Sequence, residues 1–99
     1  MVGTVEEKIT RGVLQIAAGQ ANGLATFKRC YKEIPSVVKL TASDVAPSST
    51  RPGEPMWHQI VRNIKSHSPD LGTAIAEGWL IHVPGVGYRI TAAGRKQII

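Results

Sequence analysis

Trp79-Leu80-Ile81-His82-Val83-Pro84-Gly85-Val86-Gly87-Tyr88-Arg89-Ile90-Thr91 is the stretch on which the fold turns. Two runs rich in β-formers, Trp79–Val83 and Tyr88–Thr91, flank Pro84-Gly85-Val86-Gly87. Pro and Gly punctuate a turn, so the stretch predicts a β-hairpin over about 79–91 with a four-residue loop. Within the second run Tyr88 and Ile90 alternate with Arg89, which therefore points away from the core. Thr91 is placed to cap a final helical segment over 92–99 that carries Arg95 and Lys96.

Upstream of the hairpin the period changes from two to about 3.6. Val5, Ile9, Val13 and Ile16 form one apolar stripe, Thr4 and Glu7 have the spacing of a capping box, and the Gly19-to-Gly23 segment ends a helix over about 4–18. Leu24-Ala25 reads as a short extended piece. Thr26 caps a second helix over 26–34, with Phe27, Cys30, Tyr31 and Ile34 on its buried side and Lys28, Arg29 and Lys32 on the other. Pro35 disfavours helical geometry at Ile34 and is expected to stop or kink this helix there. Val37, Val38 and Leu40 continue the core on a short further turn, and Thr41–Asp44 offers a weaker second capping signal.

Residues 46–55 hold three prolines and no periodicity, which marks an internal loop. Trp57, Ile60, Val61 and Ile64 then define a third amphipathic helix over 56–66, whose polar side carries His58, Gln59, Arg62, Asn63 and Lys65. Ser68-Pro69-Asp70 is a helix-start signal and opens a fourth, short helix over 69–77. That helix exposes Pro69, Asp70, Thr73 and Glu77, an acidic set that would repel phosphate.

Ninety-nine residues suffice for one domain, and helices followed by a tight hairpin give a mainly α fold of winged helix-turn-helix order. The stretch Gly78–Gly94, Gly-Trp-Leu-Ile-His-Val-Pro-Gly-Val-Gly-Tyr-Arg-Ile-Thr-Ala-Ala-Gly, resembles the wing of the N-terminal winged-helix domain of Mrr-type restriction proteins and related nuclease-associated modules. Leu40–Asp44 and Arg51–Trp57 are similar to the same family. The resemblance implies a DNA-recognition part of a restriction or defence system, acting alone, as a homodimer or beside a larger nuclease. This chain departs from the family's single helix before the wing, because Ser68-Pro69 splits it, and the expected groove contact moves to the third helix.

Charge agrees with a polyanionic partner. The formal net charge is +5, of which +4 lies in residues 28–67. The reading assigns double-stranded DNA as partner. Lys28, Arg29, Lys32 and Lys65 are placed as phosphate clamps, Arg51 as a loop contact, and Arg89 as a wing contact. His58, Gln59, Arg62 and Asn63 are suited to base edges. The same side chains would also serve as ordinary solvated surface, and a winged helix can be a protein-interaction or dimerisation module without DNA.

Other chemistry finds little support. Cys30, His58, His67 and His82 lack the spacing of a zinc site, so no metal or cofactor is expected. Ser36-Val37-Val38-Lys39 has the Ser-x-x-Lys form of penicillin-interacting enzymes without its partner motifs. Gly85-Val86-Gly87 lacks the third glycine of a phosphate loop. No nucleophile–base pair can be assembled, so the chain reads as a non-enzyme. A single cysteine fits a reducing compartment, and no leader-like segment or apolar run of about 20 residues occurs, which predicts a cytoplasmic protein.

Overall fold

The first described element is a helix, α1 (Val5–Ala18), whose apolar stripe faces inward: Ile9, Val13, Leu14, Ile16 and Ala17 are all buried. A computed structural model describes residues 5–47, 53–64 and 77–98. Thr4 of the expected capping box, residues 69–76 of the fourth helix expected over 69–77, and Lys65 lie outside the described residues.

Strand β1 (Leu24–Thr26) follows directly and leads into α2 (Phe27–Val37). The Thr26 hydroxyl accepts a hydrogen bond from the Arg29 amide at 3.1 Å, the N-cap expected of this residue. The helix does not stop at Ile34, however; it continues through Pro35 to Val37. Pro35 has no N–H for the Tyr31 carbonyl, but the lost bond falls in the last turn, where little helix remains to be broken. Packing outweighs it. Ile34 is fully buried and Val38 nearly so, and both press into a notch on α1 at Gly12, where a β-carbon would come within 2.8 Å of the Ile34 Cδ1.

A short helix, α3 (Ala42–Val45), carries a complete capping box. The Asp44 amide donates to the Thr41 hydroxyl at 3.3 Å and the Thr41 amide to the Asp44 carboxylate at 2.8 Å. Asp44 is only 1% exposed and is paired with the Lys8 ammonium on α1 at 2.7 Å. Burial alone would raise the carboxyl's pKa; the hydrogen bonds from Lys8 and Thr41 outweigh it and hold the group below its usual range. The stabilisation is therefore present above about pH 4, the ordinary Asp value, and is lost as pH falls through the lower folded value. Urea midpoints measured at pH 7 and pH 3 are expected to fall more for the wild type than for Asp44→Asn. Equal falls would show that the pair contributes no acid sensitivity.

The next helix, α4 (Met56–Asn63), buries Trp57 and Val61, with Ile64 at its end also buried. Its start is tied to α3 by the Met56 amide, which donates to the Ala46 carbonyl at 2.8 Å. The hairpin consists of β2 (Leu80–Val83) and β3 (Gly87–Ile90). Its loop has three residues, not four, because Gly87 pairs with both Val83 and Thr26. This second pairing exceeds the expected hairpin: β1 adds to β3, giving a three-stranded antiparallel sheet of order β1-β3-β2. The strand forms because Ala25 is fully buried opposite Tyr88.

The segment Ala92–Arg95 forms α5, capped by the Thr91 hydroxyl as its sequence predicts, but it ends four residues short of the expected 99. Five helices and this sheet make up the described residues, a layout compatible with a winged-helix-like arrangement. The sheet's inner side carries Ala25, Leu80, Tyr88 and Ile90, all buried, and packs on α1. The Tyr88 hydroxyl donates to the Val61 carbonyl at 2.7 Å, fastening β3 to α4. Cys30, fully buried in this core, has its thiol pushed up to about 12 by burial first and by Glu33 second, so it stays protonated. None of the helices among the described residues is long and apolar enough to cross a membrane.

Candidate nucleic-acid interface

The described cations that the sequence marks as DNA contacts fall into three places. On α2, Lys28, Arg29 and Lys32 are exposed, on the side away from Cys30 and Ile34. Together with Thr26 they line one open groove. Its geometry is set by the β1–α2 junction, where the Phe27 amide donates to the Val86 carbonyl in the hairpin loop at 2.9 Å. Phe27 also meets Tyr88 edge-on, with ring centroids 5.5 Å apart. The wing turn and the first turn of α2 are thus held against each other.

Arg29 forms an i,i+4 ion pair with Glu33, and both side chains remain substantially exposed. Such pairs contribute only about 0.3–0.5 kcal/mol, so the guanidinium can exchange partners at little cost. Lys28 and Lys32 make no ion pair among the described residues.

The α4 set lies in a different environment. Arg62 is 22% exposed and reaches Glu54, itself 19% exposed, at 2.6 Å. Its other terminal nitrogen contacts the Tyr31 hydroxyl at 3.5 Å. The hydrogen bond with Glu54, and less so that with Tyr31, raises the guanidinium's already high pKa. His58 stacks on Tyr31, with centroids 4.2 Å apart and planes 14° from parallel, and meets Trp57 edge-on at 4.2 Å. Burial lowers its pKa more than Glu54 restores it, and Arg62 lowers it further. The ring is accordingly a neutral aromatic at pH 7, not a cation. Gln59 and Asn63 are half-buried on the same helix.

Arg89 stands apart, exposed on the outer side of the sheet between Leu24 of β1 and Ile81 of β2. Arg51 and Lys65 lie outside the described residues. The structure therefore gathers Lys28, Arg29 and Lys32, gathers His58 and Arg62 into a separate aromatic cluster, and leaves Arg89 on a third surface.

Glu54 and Tyr31 were not distinguished by the sequence as functional neighbours, yet they decide what Arg62 and His58 can do. Glu54, His58 and Arg62 have i, i+4, i+8 spacing, a signal for the first contact. Nothing local indicates Tyr31, because its approach depends on how α2 crosses α4. No cluster of three His, Cys, Asp or Glu side chains able to hold a metal ion occurs among the described residues. Comparison with protein-family models, curated proteins and solved structures returns no match.

Proposed function

We propose that this chain is a DNA-binding module of winged-helix type that grips the duplex without catalysing a reaction on it. The observation that carries the proposal is the groove in which Lys28, Arg29 and Lys32 converge beside the wing turn. Three cations on one exposed helix face form an electrostatic footprint for a phosphate backbone. The sheet order and the element order agree with that reading. The resemblance of Gly78–Gly94 to Mrr-type wings suggests a restriction or defence setting, in which this module would recruit a nuclease to DNA.

Fluorescence titration of a labelled random-sequence duplex tests it. If three phosphates are neutralised, the affinity falls roughly 40-fold between 50 and 200 mM salt. Absence of binding at 50 mM would end the DNA assignment. A protein-interaction role is the second reading, favoured by Ile81, which is 55% exposed on the edge strand β2. Concentration-dependent sedimentation without duplex binding would move the assignment there.

A further inference from the structure

We infer that the α2 groove seats backbone phosphate, that Lys28 and Lys32 each neutralise one phosphate there, and that Arg62 neutralises none. This rests on the DNA reading above and sharpens it: the partner is a duplex held through its backbone at α2, with Arg62 taking no part in the contact.

The groove has the dimensions for such contact. Its volume is about 190 Å³, below the roughly 300–1,000 Å³ of pockets that enclose small molecules. It can take a phosphate group at the surface but cannot enclose a nucleotide. Its lining is cationic and hydroxylic, from Lys28, Arg29, Lys32 and Thr26, which suits oxygen acceptors on an anion. The backbone of Thr26 and Phe27 is fixed by β1 pairing and by the bond to Val86, which sets where α2 starts beside the wing turn; the Lys28, Arg29 and Lys32 side chains extend from that start into solvent.

Arg62 is committed elsewhere. To reach a phosphate it would have to leave Glu54, abandoning a carboxylate that is 81% shielded from water, and give up the Tyr31 hydroxyl. Stranding one partner of such a pair is unfavourable even where the pair itself adds little stability. Arg29 faces no such obstacle, since its pair with Glu33 is exposed. Burial thus separates the cations of α2 from that of α4: Lys28, Arg29 and Lys32 are exposed and open to contact, while the half-buried Arg62 engages Glu54 and Tyr31.

Salt dependence reads this directly, because each neutralised phosphate contributes about 0.9 to the slope of log affinity against log salt. The wild-type chain, Lys28→Ala/Lys32→Ala and Arg62→Met are titrated with the same random duplex at 50 and 200 mM salt, after circular dichroism has shown each to be folded. The double variant is expected to lose about 1.8 from the slope, so the wild-type advantage shrinks about 12-fold across that salt interval. Arg62→Met is expected to keep the wild-type slope. Should Arg62→Met fail to fold, Glu54→Gln, which releases Arg62 with its charge intact, is expected to leave the slope unchanged.

An unchanged slope in the double variant overturns the inference, as does a loss of about 0.9 in Arg62→Met or a steeper slope in Glu54→Gln. A wild-type chain that binds while the double variant binds equally well removes the groove assignment alone. A wild-type chain that does not bind at 50 mM removes the DNA reading with it.

Discussion

Replacing Trp57 with alanine is expected to destabilise the fold by about 3–5 kcal/mol, the range for deleting a buried large aromatic. In a domain of this size that corresponds to a melting temperature lower by roughly 12–40 °C. The indole is 4% exposed and ties α4 to α2 through Tyr31, 6.2 Å away, while the neighbouring His58 on α4 meets it edge-on at 4.2 Å. Its loss leaves a void that neither neighbour can fill without breaking the Tyr31–His58 stack. Total stability of small domains is about 5–15 kcal/mol, so this substitution removes a large part of it. Thermal melts by circular dichroism measure the effect, with Trp57→Phe as a control that retains part of the volume. A shift of only a few degrees for the alanine variant would show that α4 is not anchored by this residue.

Gly87→Ala is the second large effect, and its cause is backbone, not volume lost. A β-carbon at this position would overlap the Ala25 carbonyl oxygen and lie 2.7 Å from the Thr26 α-carbon. Both obstacles belong to the main chain of β1, so no side-chain rotation relieves them. Either β1 separates from β3 or the strands shift together, and both disrupt the junction from which α2 starts. The expected loss is about 3 kcal/mol, the upper end for overpacking, or at least about 12 °C in melting temperature. Amide exchange separates the two outcomes, since loss of β1 pairing exposes the Ile90 amide now bonded to the Gly23 carbonyl at 2.8 Å. An alanine variant with wild-type melting and exchange would refute the close approach.

The two substitutions also mark what the chain's pattern made legible. Trp57 belongs to an i, i+3, i+4, i+7 apolar set, and periodicity sufficed to place it inside. Gly87 reads in the sequence as one more loop residue. Its actual constraint comes from β1, more than sixty residues earlier, through a pairing that a three-residue strand is too short to announce. The passage of α2 beyond Pro35 has the same origin: the local rule predicts a stop, but the notch at Gly12 on α1 is visible only once the two helices are packed.

The candidate site divides along the same line. That Lys28, Arg29 and Lys32 share an exposed helix face follows from 3.6-residue periodicity with Cys30 and Ile34 buried, and the structure places them so. The polar side of α4 was expected to be open in the same way. Its described members are instead half-buried: Tyr31 of α2 stacks on His58, and the tyrosine and carboxylate that engage Arg62 come from 31 and 8 residues away.

The amino-acid sequence by itself determined the hairpin, the Thr26 and Thr91 caps and the inward stripes of α1, α2 and α4, since these depend on neighbours within a turn or two of helix or along one strand. Only the tertiary structure decided that β1 completes a sheet, that Lys8 neutralises Asp44, and that Arg62 is bound while Lys28 and Lys32 remain exposed. Those outcomes depend on which surfaces meet across long sequence separations, where burial and a single ion pair outweigh what the local pattern prefers.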